Sequence, residues 1–164
     1  MAELTHLDEK LAEVLGLAQA AQAATKKVAT LARREQDTRL RELLERMGDE
    51  AAQIEQRCDA AASSRDGIKT AITQKARETR AEVNEFMRTY LEDAEALDGL
   101  EFLSMAEAGE LVHWEILAKL NETANDGEIA RAVKFGLPLQ QAHVDAVKEQ
   151  SLRLAAEQDP SEPA

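Results

Sequence analysis

Three short stretches of this sequence space carboxylates, amides and imidazoles so that they meet on one side of a helix. Glu107 and Glu110 stand three residues apart, and His113 follows at the same interval. Gln140 and His143 repeat the spacing, as do Glu50 and Gln53. Residues three or four apart on a helix are surface neighbours, so each pair presents its groups together. Carboxylate and imidazole are common metal ligands in proteins. Without an ion the same groups form a hydrogen-bonded network that holds protons. Either chemistry needs side chains that face inward.

Around Glu107 the pattern predicts that they do. Leu100, Leu103, Glu107, Glu110, Trp114 and Leu117 step by threes and fours along one stripe, so two carboxylates occupy positions that a core helix gives to apolar residues. Burying an unpaired charge costs on the order of several kcal/mol even after relaxation. A stable fold therefore keeps two carboxylates inward only with a metal, a cationic partner, shared protons or water. His113 is displaced from the stripe, beside Trp114, and Glu50 lies at the edge of its own stripe, where solvent is the easier choice.

Five long amphipathic helices carry these positions. The first runs from Thr5 to about Arg34 through Leu11, Val14, Ala18, Val28 and Ala32, and its middle, Gly16 to Ala24, is nearly all small residues with Gln19 and Gln22 among them. The second opens at Asp37, a predicted N-cap, and carries Leu40, Leu44, Met47, Ile54 and Cys58. After the turn at Ser63 to Gly67 the third spans Ile68 to about Tyr90, with no ionisable group on its stripe. Asp98 to Glu101 reads as a capping box for the fourth, which ends near Ala124, and Asn125-Asp126-Gly127 makes the next turn. The fifth begins near Glu128 and holds Pro138, predicted to kink it, with Gly136 easing the bend. Gly48 and Gly109 at mid-helix predict close backbone packing or room for an inward group.

The 164 residues suffice for one domain, expected over residues 1–157 with a flexible tail over 158–164. Three prolines, seven glycines and few aromatics point to an all-α fold. A net charge of −12 repels nucleic acid and anionic membranes, so neither is an expected partner. No apolar run is long enough for a membrane span. The opening residues lack a basic segment followed by an apolar one, and the single cysteine fits a reducing compartment; a cytoplasmic location is the expectation. Cys58 on its stripe reads as a small buried hydrophobe. No Gly-rich phosphate loop, Cys-x-x-Cys pair or nucleophile triad is present.

Four helices enclose one core, which leaves the third to return the chain from one end to the other. Two helical hairpins joined by such a crossover, with inward polar groups at mid-height, resemble the ferritin-like superfamily. Across roughly residues 7–156 the order and spacing are most similar to the small bacterial stress-associated ferritin-like proteins of the YciE and YciF type. That resemblance implies a ferritin-like four-helix bundle with a crossover helix between its second and third members, and a centre for iron or manganese. The family places Glu on the first helix, Glu-x-x-His on the second, Glu or Glu-x-x-Glu on the third bundle helix and Glu-x-x-His on the fourth. Glu107 and Glu110 match the third; Gln140 and His143 keep the histidine of the fourth, and Glu50 the carboxylate of the second. The first offers only Gln19 or Gln22 at that height, with Glu13 a turn or two away.

The implied metal residues are Glu50, Glu107, Glu110, His113, Gln140 and His143. A single ion held by Glu107, Glu110 and His143, with Glu50 or His113 assisting, is chemically easier than two. The implied role is stress-related, with oxidation of iron(II) or disposal of a peroxide as the reaction and a homodimer as the assembly. The amides at Gln19, Gln53 and Gln140 support the alternative, a degenerate metal-free bundle that is structural or binds a partner.

Overall fold

The computed structural model describes residues 3–161, and the ends of both expected segments, residues 1–2 and 162–164, lie outside the described residues. Five helices and no strand make up the described chain: α1 His6–Arg34, α2 Thr38–Ser63, α3 Lys69–Tyr90, α4 Ala96–Ala124 and α5 Gly127–Glu157. Three of the starts carry a side-chain cap. Thr5 Oγ1 accepts from the Asp8 backbone N–H at 3.2 Å, Asp37 from Leu40 N–H at 2.9 Å, and Asp126 from both Glu128 and Ile129 N–H at 2.9 Å. The α4 start departs from the sequence expectation. Asp98 is the third residue of the helix, its carboxylate accepting from the Glu95 N–H at 2.8 Å, so the box lies one turn earlier than Asp98 to Glu101. Pro138 sits inside a single continuous α5.

Helices α1, α2, α4 and α5 pack in a closed ring, α1 against α2, α2 against α5, α5 against α4 and α4 against α1, while α3 lies along the outside of α1. Ion pairs and caps at the two ends show the directions. At one end Arg65 joins Asp8 at 2.7 Å and Asp126 at 2.9 Å, bringing the start of α1, the end of α2 and the start of α5 together. At the other, Glu35 accepts from the Ala96 N–H at 2.6 Å and Arg153 bonds Asp37, joining the end of α1 to the start of α4 and the end of α5 to the start of α2. All four neighbouring pairs are therefore antiparallel.

The core is split in two. One apolar cluster contains Leu11, Leu15, Ile54, Cys58, Ile72, Trp114, Leu117 and Ile129, and the other contains Val28, Leu40, Leu44, Met47, Phe102, Leu103 and Val147. Between them lies a belt of buried polar residues, Glu107, Glu110, Gln140 and His143. Close approach fixes the helices around it. A Cβ on Gly16 would stand 2.4 Å from the Ala76 carbonyl of α3, and one on Gly136 would stand 2.5 Å from the Trp114 ring of α4. Gly136 thus makes room for an indole.

Candidate functional site

The site is built from three helices, because α4 brings Glu107, α5 brings Gln140 and His143, and α2 brings Glu50 to the same height. Glu107 on α4 is 1% exposed, and its carboxylate Oε2 accepts from the Gln140 amide of α5 at 2.7 Å. The same amide reaches the Glu107 main-chain carbonyl at 3.0 Å, which holds the glutamine in register with the glutamate. One turn further along α5, His143 puts Nε2 at 2.7 Å from Glu50 Oε2 and Nδ1 at 3.5 Å from Glu107 Oε2. The first is an aligned hydrogen bond, and the second is an ion contact at the outer edge of that range.

Protonation follows from this geometry. Burial is the largest single influence on His143 and pushes its pKa down, but the hydrogen bonds and charges of Glu107 and Glu50 together outweigh it, and the net shift is upward. The drier Glu107 acts more strongly than the better-aligned but half-exposed Glu50. The ring thus stands between two carboxylates, in the place where a cation belongs. Glu110 is treated differently. Burial first, and the neighbouring Glu107 charge second, hold its carboxyl well above the usual carboxylate range, and the Trp114 indole N–H on its other side offsets this in part. That N–H faces Glu110 without reaching hydrogen-bonding geometry.

Of the residues expected at a metal centre, Glu50, Glu107, Gln140 and His143 come together, and Glu110 lies beside them without a bond to the network. His113 goes elsewhere. Its Nδ1 lies 3.2 Å from Glu13 of α1 and 3.3 Å from Lys10, on the outer side of the α1–α4 seam. Burial and the Lys10 charge lower its pKa against the pull of Glu13. Gln53 is exposed, and Gln19 and Gln22 turn outward to Glu55 of α2, at 2.9 and 2.6 Å, where they saturate a carboxylate instead of entering the belt. Glu13 and Glu55 are the partners that sequence reasoning missed. The signal was present for Glu55, whose place on α2 opposite two amides follows once α1 and α2 are paired, but no single-helix stripe contains it.

These side chains do not fit a two-ion centre. The belt receives no carboxylate from α1, and an ion could take one nitrogen of His143 but not both, since they point to different carboxylates. Among the described residues no three His, Cys, Asp or Glu side chains converge closely enough to hold an ion. Cys58 is fully buried and burial pushes its thiol pKa up, which fits a packing role. Among the described residues no helix is long and apolar enough to cross a membrane. No family model matches this chain, and no curated protein and no solved structure matches it.

Proposed function

We propose that this chain is a ferritin-like bundle, with α3 as its crossover, that works without a resident metal as a structural or partner-binding protein. One observation carries the reading: the His143 ring stands between Glu50 and Glu107, with Gln140 on the second carboxylate, so these side chains pair with one another where an ion would otherwise pair with them. The partner that the surface favours is a second copy. Met105, Val112 and Ile116 are exposed on the outer face of α4, and Gly109 lies between them with open space where a Cβ would stand. Two such helices crossing antiparallel near Gly109 pair Met105 with Ile116 and bring Glu101 of one copy toward Lys119 of the other.

A second reading is favoured by the placement of Glu50 and Glu107 on either side of the His143 ring. In it one iron or manganese ion displaces the proton of His143, and the chain serves a stress-related role in oxidation of iron(II) or disposal of a peroxide, as the family resemblance implies. Metal analysis and light scattering on protein purified without chelator, then titrated anaerobically with iron(II) and manganese(II), distinguish the two. The first reading expects a metal content near zero and a molar mass twice that of the 18.1 kDa chain. One bound ion per chain, lost in Glu107→Gln, overturns it in favour of the second.

A further inference from the structure

Beside the belt, between α1, α3 and α4, lies a cavity of about 150 Å³. Ala20, Ala21 and Ala24 of α1 form its floor, and Phe86 of α3 and Phe102 of α4 form its walls. The small residues in the middle of α1 thereby acquire a role, since any larger side chain would fill this space. Dry apolar cavities of about this volume take one benzene-sized molecule. This one is not wholly apolar. Glu110, 4% exposed, lines it, and the Trp114 indole N–H that acts on its carboxyl makes no hydrogen bond among the described residues. Buried polar groups are rarely left without a partner. The other carboxyl at the inner end, Glu107, is already engaged by Gln140 and His143.

We propose that this cavity binds one small apolar amine, its body against Phe86 and Phe102 and its ammonium paired with Glu110. Three features select an amine over other small molecules. The only charged or titratable groups lining the cavity are the two glutamates, because α1 and α3 contribute apolar side chains. Behind them stand His143 of α5 and the Cys58 thiol of α2, neither of which adds a free positive charge to the cavity. A carboxylate or phosphate ligand meets these acids and a chain of net charge −12. Finally, charge-assisted hydrogen bonds are about twice as strong as neutral ones, and an ammonium over an aromatic face gains further attraction, so an alcohol of the same shape binds less tightly.

Glu107 lines the cavity and also belongs to the belt, so the test is made on protein without added metal. Calorimetry with benzylamine, benzyl alcohol, toluene and benzoate near pH 7 tests the proposal on the intact chain. The expected result is one benzylamine per chain, about tenfold tighter than benzyl alcohol, and no benzoate binding. Glu110→Gln should weaken benzylamine at least tenfold while leaving toluene unchanged, and Ala21→Leu, which fills the cavity, should abolish both. Absence of benzylamine binding to the wild-type chain overturns the proposal, as does benzyl alcohol binding as tightly or undiminished benzylamine binding in Glu110→Gln. If Glu110→Gln does not fold, the preference for benzylamine over benzyl alcohol and Ala21→Leu decide between the same outcomes.

Discussion

Glu110 and His143 hold their protons more tightly in the folded chain than in the unfolded one, and that sets how its stability varies with pH. A raised pKa in the folded state lends stability that is full below the unfolded value and is lost as pH rises through the folded value. For Glu110 the loss begins above 4.5 and for His143 above 6.5, so each weakens the fold as pH rises from its own starting value. His113 and Glu13 act in the opposite sense, because their lowered values remove stability on acidification. Glu110→Gln should therefore flatten the fall of Tm from pH 5 to 8 and leave the variant at least as stable as the wild type at pH 8, measured by thermal denaturation across that range. Parallel curves would show that Glu110 is not a buried acid. At this scale the sequence was a good guide to Glu107, Glu110 and His143, whose stripe positions follow from helical period alone. It was a poor guide to Glu50 and His113, which sit at stripe edges. An edge side chain turns toward whichever neighbouring helix offers a partner, and Glu50 found His143 while His113 found Glu13.

Between helices, the glycines separate two reasons for the same residue type. Gly136 lies under the Trp114 ring, whereas Gly109 faces open space, contrary to the expectation of close packing or an inward group within the chain. Gly136→Ala should cost about 1–3 kcal/mol through overpacking against the indole. Gly109→Ala should instead gain about 1 kcal/mol from helix propensity in the monomer. Chemical denaturation of the two variants checks the signs, and a gain for Gly136→Ala would mean that α4 and α5 sit further apart than described. The extents of α1, α2, α3 and α5 and the end of α4 were legible from period and caps to within a residue or two. The α4 start was not, because Asp98 suits either a cap or the third helical position, and the choice fell to the Glu95 N–H.

Over the whole molecule, two apolar clusters enclose a polar belt, and an ion pair or cap at each end ties segments distant in sequence. Arg65, whose side chain is 16% exposed, holds the nearly buried Asp8 and the less buried Asp126. Arg65→Ala should cost about 2 kcal/mol in urea denaturation, because it leaves Asp8 without its cation, while Arg39→Ala, in an exposed pair with Glu149 at 3.4 Å, should cost under about 1 kcal/mol. Equal effects would deny Arg65 its role as a clamp. That α1, α2, α4 and α5 share one core was legible from turn length and from the lack of ionisable groups on the α3 stripe, whereas their order around the ring and the occupancy of the belt depend on pairing that no periodicity encodes. That occupancy is the centre of the account, and nitrogen-15 NMR of the histidine rings reads it directly, since the chain has only three histidines. The account predicts that, in protein without added metal, His143 titrates above 6.5 and above His113, with both ring nitrogens protonated at neutral pH. A neutral His143 ring with a pKa below 6.5 would contradict it.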